Sequence, residues 1–392
     1  MKIMLANFTK MVNDSGGMAK VCCAMANEFQ RRGHQVSLVY SDIQEGSFFY
    51  PVDKNVKLYD LRHFRGQSIK FPLYLKAKRE FLRAFDKERA RTVNNDFAEK
   101  FLLKNLQTIL AELNSDIIVS YQPAASKMLL CDLKISIPVV TMSHGDPEDY
   151  FTLYPKKELP SLEKSAMCQV LLPSFAQHLH NHLAHVKTIV IGNVVPQYKA
   201  QADLLAPKAI HKILFVGRLA ERHKRPHLLI EAFIKLAPRF PNWQLELWGA
   251  DDGKIYRKKL EQLITQADLQ ERILLKGTTK DIPSVLPTAD IFVIPSAYEG
   301  FSLAMTEAMS MGLPVVGYKT APSVNELIAD GVDGFLCNDG VDALTEKLSA
   351  LMANKELRVK MGQAAREKMT AYAPQKIWNT WENLLQNILK NK

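Results

Sequence analysis

Short apolar runs of strand length alternate with longer helical stretches along the chain, and the alternation starts over once. The first series is Lys2–Asn7, Gln35–Tyr40, Asp116–Tyr121, Ile137–Thr141, Gln169–Ser174 and Lys187–Gly192. The second is Lys212–Arg218, Trp243–Trp248, Ile273–Lys276, Asp290–Ser296 and Pro314–Tyr318, followed by a strand after the turn at Asp330-Gly-Val-Asp-Gly334. Near-continuous apolar runs separated by helices are the pattern of parallel sheets buried on both faces. The chain is therefore predicted to be α/β, with two such sheets facing one cleft and ligands taken beyond the strand ends. Its 392 residues exceed what one core usually supports, which again gives two domains.

The stretch 44–69 is less regular, with a short strand at Val56–Tyr59, and helical material follows through about Leu113. Pro196–Ala209 is polar and alanine-rich without a strand signal. The predicted boundaries are a first domain over 1–195, a linker over 196–211 and a second domain over 212–374. A C-terminal helix over 375–392 has an apolar side (Trp378, Trp381, Leu384, Leu385, Ile388) that needs a partner.

A net charge of +10 leaves nucleic acid, anionic lipid and phosphorylated ligands all open as partners. Position narrows this. Residues 70–104 carry Lys70, Lys76, Lys78, Arg79, Arg83, Lys87, Arg89, Arg91, Lys100 and Lys104 among Phe71, Tyr74, Leu75, Phe81 and Phe85. That is a basic amphipathic surface suited to an anionic membrane face, or a plain solvated helix. No apolar run is long enough to span a bilayer and Met1–Asn7 does not read as a signal peptide, so the expected location is cytoplasmic. Cys22, Cys23, Cys131, Cys168 and Cys337 lack metal-ligand spacing and read as buried small hydrophobes.

The densest chemical signal is Ile294–Gly312: a buried strand, a turn at Glu299-Gly300 and a helix with Ser302 as its expected N-cap, stopped by Gly312-Leu-Pro314. A helix N-terminus supplies donors for phosphate, and acids beside it accept from hydroxyls. Glu299 in the loop and Glu307 in the second turn are read as gripping different parts of one extended ligand, not as an acid–base pair. Gly217-Arg218 ends the first strand of the second series, with Lys224 six residues on. A guanidinium fork and an ammonium together neutralise a diphosphate. Arg222 and Arg225 compete for the ammonium's place, and solvated loop charges are the plain alternative. His144, after a buried strand, is a hydrogen-bonding candidate for a reacting sugar or phosphate. His178, His180, His182 and His185 lack a companion carboxylate, and no metal site is expected there. The Gly16-Gly17 pair after the first strand permits close backbone approach but is no dinucleotide fingerprint.

Taken together these residues resemble the retaining glycosyltransferases of GT-B fold in family four, the group 1 glycosyl transferases. The resemblance runs through Ser15-Gly-Gly17, Ser143-His-Gly145, Gly217-Arg218 with its following lysine, Gly277, the Glu299-to-Glu307 signature and Pro322-Ser-Val-Asn-Glu-Leu-Ile328. It implies two Rossmann-like domains, with the C-terminal helix crossing back to the first. It implies donor contacts from Gly16, Gly17, Arg218, Lys224, Gly277, Ile282, Glu299, Gly300, Phe301, Ser302, Leu303 and Glu307. Arg218 and Lys224 would hold the diphosphate, Glu307 the ribose and Glu299 the donor sugar, with His144 at the reaction centre. No cofactor or metal is implied. The implied reaction moves a hexose or N-acetylhexosamine, with retention, from a nucleotide sugar, expected to be UDP-linked. The acceptor would be a cell-surface glycan such as lipopolysaccharide or a lipid-linked oligosaccharide, met mainly by the first domain, with 70–104 against the inner membrane face. One departure is that the family's lysine sits one residue nearer the arginine, which leaves Arg222 as a competitor. The rival readings are an epimerase of the same fold and a basic nucleic-acid-binding protein; no recognised nucleic-acid motif supports the latter.

Overall fold

Each of the two series of apolar runs builds its own parallel sheet. In the computed structural model, which describes residues 1–391, one unit comprises Met1–Gly192 with Ile377–Lys392 and the other Asn193–Lys376. The first unit holds β1 (Lys2–Asn7), β2 (Gln35–Tyr40), β3 (Lys57–Asp60), a two-residue hairpin of β4 (His63–Phe64) and β5 (Gln67–Ser68), then β6 (Ile117–Ser120), β7 (Val139–Met142), β8 (Met167–Val170) and β9 (Thr188–Val190). Its seven-stranded sheet runs β3-β2-β1-β6-β7-β8-β9, parallel throughout. Strand order reverses between β1 and β6, where Ile3 lies opposite Ile117. Met4, Ala6, Val39 and Ile118 meet Phe97, Leu106 and Ile109 from the helices Lys87–Phe101 and Leu103–Leu113 in one core.

The helix Pro374–Lys390 gives its apolar side to this unit, burying Ile377, Trp378, Trp381, Leu384 and Leu385. Trp378 meets Phe29 edge-on at 6.1 Å. Glu382 then clasps the helix down: Arg32 Nη1 donates to Oε2 at 2.6 Å and His34 Nε2 lies 2.9 Å from Oε1. Thus the partner that this apolar side required includes the first unit's own helix Gly17–Arg31 and the turn after it.

The second unit holds β10 (His211–Val216), β11 (Trp243–Trp248), β12 (Ile273–Gly277), β13 (Ile291–Ile294), β14 (Val315–Tyr318) and β15 (Gly334–Cys337), in the order β12-β11-β10-β13-β14-β15. Here the order reverses between β10 and β13, with Ile213 opposite Ile291. Helices Pro226–Leu236, Lys254–Gln266 and Val341–Ala353 cover the sheet around Phe215, Leu229, Phe233, Leu245 and Leu348. Gly249 is required just past β11, because a Cβ there would stand 1.9 Å from the Gly217 carbonyl oxygen.

Several boundaries differ from the expectation. The run Gln169–Ser174 is not one strand: β8 ends at Val170 and Pro173 opens the helix Pro173–His182, since proline pre-sets φ for a first helical turn. The irregular stretch contains the β4–β5 hairpin, and short helices at Pro123–Lys127, Glu148–Thr152 and Leu159–Lys164 lie too close to loop composition to be read from periodicity. Among the described residues no helix is long and apolar enough to cross a membrane. Replacing Trp381 (2% exposed) by alanine is expected to destabilise the first unit by about 3–5 kcal/mol. Urea unfolding should show one transition moving to lower denaturant while the second unit's stays in place.

Candidate functional site

In the second unit the order reversal brings the loops after β10 and β13 side by side, at the place where open α/β sheets take ligands. Gly217 N donates to Trp248 O at 2.9 Å and Leu219 N to Ala250 O at 2.8 Å, which carries the backbone of β10 outward past the sheet. Arg218 stands in that bend, 63% exposed, with Nη1 3.5 Å from Asp252 Oδ1. The chain then folds back on itself, as Lys224 N and Arg225 N both bond Ala220 O. This turn sets how far Lys224 stands from Arg218.

The three basic residues that compete after Arg218 have different fates. Arg225 adopts a left-handed conformation (φ 48°), its Nε donates to Pro295 O at 3.0 Å, its Nη1 pairs with Asp339, and its guanidinium lies 4.9 Å over the Tyr318 ring. It is an anchor, consumed by the fold. Arg222 is exposed. Lys224 is the one that reaches the next loop, with Nζ 2.5 Å from Glu299 Oε1. Ser296 Oγ donates to the same oxygen at 2.6 Å, and Ala297 N donates to His223 O at 2.8 Å, so backbone and side chains lace the two loops together.

Glu299 and Glu307 are both buried, 7% and 3% exposed. Between them Gly300 is half-buried, Phe301 packs edge-on against Tyr372 at 5.2 Å, and Leu303 opens the helix Leu303–Ser310. Ser302 does not cap this helix as expected. Its φ of 47° is left-handed, where an N-cap needs extended backbone to aim its hydroxyl at the first-turn amides. Its Oγ is buried without a hydrogen-bond partner, and the first-turn N–H groups have no side-chain cap. Gly312 (φ 84°) follows the helix and ends it. Tyr198 lies near Glu307: burial, and next to it the carboxylate's charge, push the phenol's pKa up. At the end of β12, Gly277 turns with φ 72° and accepts from Gly249 N, and Ile282 opens a short helix capped by Asp281.

The first unit has its own reversal point. Asp42 Oδ2 accepts from Met11 N (2.6 Å) and Val12 N (2.8 Å), fixing the loop after β1, and Gly16 and Gly17 start the helix Gly17–Arg31. Tyr121, just past β6, stacks on His144 with centroids 5.2 Å apart. His144 Nε2 is closed to water and unpartnered, and burial pushes the ring's pKa down to about 4, so it is neutral at pH 7. Ser143 Oγ, which donates to Gly145 O at 2.6 Å and accepts from Tyr150 OH, holds the loop.

The remaining histidines do meet carboxylates, contrary to the expectation, but the fold brings in a different one for each: His178 lies on Asp146 and His182 on Glu148, the latter stacked on Phe151, while His180 is near Thr188. Among the described residues no three His, Cys, Asp or Glu side chains converge as a metal site. Lys224, Glu299 and Ser296 are in direct contact, with Glu307 on the adjoining helix. Arg218 pairs instead with Asp252, Gly277 ends β12, two strands away from β10, and Ile282 opens the short helix that follows. Gly16, Gly17 and His144 belong to the other unit. Reading the sequence missed Ser296, Tyr198 and Asp252, whose types carry no signal until the fold sets them beside an acid or a guanidinium.

Residues 196–368 match the model of the family described as glycosyl transferases group 1. An uncharacterized glycosyltransferase of Haemophilus influenzae is 24% identical over 386 residues, covering 96% of this chain and 98% of that one. The amylovoran biosynthesis glycosyltransferase AmsD of Erwinia amylovora is 24% identical over 382 residues, covering 95% and 97%. Among solved structures, a variant of S. aureus TarM in complex with fondaparinux, alpha-GlcNAc-glycerol and UDP superimposes with a TM-score of 0.74 at 17% identity, covering 98% of this chain and 100% of that one.

His144 gives a pH signature. An unfolded chain protonates this ring near its ordinary 6.5, whereas the folded protein does so only near 4, so the unfolded state takes up the proton first. Stability contributed by the neutral ring is therefore present above pH 6.5 and is lost as pH falls toward 4. At pH 5 the loss is about 2 kcal/mol. H144Q should lose less stability than wild type between pH 7 and pH 5 in paired urea titrations; equal losses would contradict a ring held neutral by the fold.

Proposed function

Because this chain is a glycosyltransferase of GT-B fold related to the glycosyl transferases group 1 family, we propose that it moves a hexose or N-acetylhexosamine from a UDP-sugar to a cell-surface glycan acceptor, with retention. The observation that carries this reading is the Lys224–Glu299 contact at the reversal point of the second sheet, beside Arg218 and an uncapped helix N-terminus. A cation already held against an acid, with a second, exposed cation on the neighbouring bend and backbone N–H groups at hand, is the equipment for gripping a diphosphate while its neighbour accepts from a sugar hydroxyl. The UDP in the TarM complex and the lipopolysaccharide core named for the mannosyltransferase LpsB of Rhizobium meliloti, 30% identical over 148 residues, support the donor and acceptor classes.

In this scheme Arg218, Lys224 and the first-turn amides of Leu303–Ser310 hold the diphosphate. Glu307 takes the ribose hydroxyls, and Gly277 and Ile282 flank the base. Glu299 accepts from the donor sugar, and Gly300, Phe301 and Ser302 shape the turn that delivers those amides. On the first unit, Gly16 and Gly17 give close backbone approach to the donor, and His144, neutral at pH 7, exchanges hydrogen bonds with a neutral sugar hydroxyl. The bond from the anomeric carbon to the diphosphate breaks with its electron pair leaving on the phosphate oxygen. The acceptor oxygen bonds the same face of that carbon, and its proton passes to the departing phosphate. Arg218 and Lys224 stabilise the charge that develops, and the scheme requires no metal. Glu299 does not serve as a nucleophile here, since one of its oxygens is already committed to Lys224 and Ser296.

We place the protein in the cytoplasm, peripheral on the anionic inner face of the membrane. Leu73, Tyr74, Phe81 and Phe85 are 82%, 60%, 69% and 79% exposed on and just after the helix Leu73–Arg83. Lys76, Lys78 and Lys87 are exposed beside them, while the segment's acids are taken up: Glu80 by Arg79 and Arg83, Asp86 by Arg89, Asp96 by Lys157. Exposed aromatics among unpaired lysines suit insertion at a headgroup layer.

R218A and K224A should each lower kcat about 100- to 1,000-fold, followed as UDP release from a panel of UDP-sugars with membrane extract as acceptor source. Unchanged rates in both would remove the proposed diphosphate grip. Replacing Phe81 and Phe85 together by serine should sharply reduce co-sedimentation with phosphatidylglycerol vesicles; retention equal to wild type would remove the membrane assignment.

A further inference from the structure

Donor binding makes no use of Arg62, whose surroundings are unusual for a half-buried charge. It lies two residues past β3, at the same carboxyl end of the sheet as the loop after β1. Its backbone N donates to Asp60 Oδ1 at 2.9 Å, its Nε donates to Ser41 Oγ at 3.2 Å, and its guanidinium lies 4.7 Å over the Phe97 ring. Two acids stand nearby, yet neither pairs with the guanidinium. Asp60 gives Oδ1 to the amides of Asp42 and Arg62 and Oδ2 to His63 Nδ1. Asp42 gives Oδ2 to Met11 and Val12 and Oδ1 to Ile43 and Gln44. Every carboxylate oxygen in reach is committed to another donor.

Among the described residues nothing accepts a hydrogen bond from the guanidinium's two amino groups. Its orientation is nevertheless fixed, by Ser41 on the Nε edge and Phe97 beneath the plane. Phe97 stacks in turn on Phe71 at 4.6 Å, and the Arg79 guanidinium lies 4.9 Å over the far ring. Two guanidinia thus cap one pair of phenyl rings; desolvation lowers the proton affinity of Arg62, the charges of Asp60 and Asp42 oppose that shift, and the Arg79 charge adds to it. A pre-aligned fork whose two amino groups point their donors at no acceptor, beside acids already satisfied by other donors, has the geometry that phosphate oxygens fit.

We propose that Arg62 is an oxyanion subsite of the first unit, taking a phosphate-class group (a phosphomonoester or a diphosphate) carried by the acceptor or by a lipid headgroup. The proposal rests on glycosyl transfer as read above, with the acceptor meeting the first unit. The phosphate oxygens would accept from the two amino groups, while Ser41 keeps the fork aligned through Nε.

The test uses the full chain labelled with 15N-arginine and saturated with UDP, so that the donor site is filled. Inorganic phosphate is titrated while the Arg62 Nε–H signal, assigned by its absence in R62K, is followed. Phosphate should move this signal, and R62K, which keeps the charge but loses the fork, should bind phosphate at least about 10-fold more weakly in the same UDP-saturated state. S41A, which removes only the alignment, should fall between the two. An Arg62 signal that phosphate does not move, or R62K binding phosphate as wild type does, would overturn the subsite. Phosphatidylcholine vesicles with and without phosphatidic acid then separate the sources. Loss of phosphatidic acid-dependent binding in R62K assigns the phosphate to a headgroup; unchanged vesicle binding alongside lost phosphate binding assigns it to the acceptor. UDP binding is recorded in the same wild-type samples: its absence would sink the transferase reading, whereas failure at Arg62 with UDP bound sinks the subsite alone.

Discussion

The ion pair between Lys224 and Glu299 is the contact on which the second unit's site depends. It joins two loops that the sequence separates by most of a Rossmann half, and it does so where the sheet changes direction. Glu299 is 8% exposed at its side chain and Lys224 27%, so removing either partner would strand a charge in a poorly solvated place. Ser296 supplies a second donor to the same oxygen, as a buried carboxylate needs. The arrangement is a holding state for charge: a lysine that already faces one anion loses little solvation when a second arrives.

Much of the surrounding structure serves to keep that contact in register. Gly249 lets the backbone after β11 approach Gly217 so closely that no side chain fits between them. Arg225 spends its guanidinium on Pro295 and Asp339 and so pins the end of the turn that presents Lys224. The left-handed Ser302 then enters the helix without capping it, leaving donors at the helix end. Each of these is a local departure from what stability alone would select, and such departures gather where a ligand is to be bound. The first unit is built on the same plan, with Asp42 holding the loop after β1 and Tyr121 supporting His144 beyond β6.

The sequence carried the architecture because buried parallel strands announce themselves as continuous apolar runs; Trp243–Trp248 was legible residue for residue. Pro173 marks the limit of that signal, since an apolar run continuing past a strand's end hides the point where a helix takes over. The acids of the candidate site were legible through their spacing on a strand–turn–helix. Which of Arg222, Lys224 and Arg225 meets Glu299 was not, because the answer lies in how one turn closes on Ala220. Ser302 misled for a related reason: its residue type suits an N-cap, but the backbone required by the Glu299–Phe301 turn denies it the angle. Arg62 was invisible, one basic residue among many, until Ser41 and Phe97 were seen to hold it and both neighbouring acids to be otherwise engaged.

A crystal structure of the full chain with UDP would locate the nucleotide's diphosphate, whose proposed place is the reversal point between β10 and β13. Phosphate oxygens should lie within hydrogen-bonding distance of Lys224 Nζ and of the first-turn amides of Leu303–Ser310, with the ribose on Glu307. UDP bound away from these residues, with Lys224 and Glu299 undisturbed, would contradict that placement.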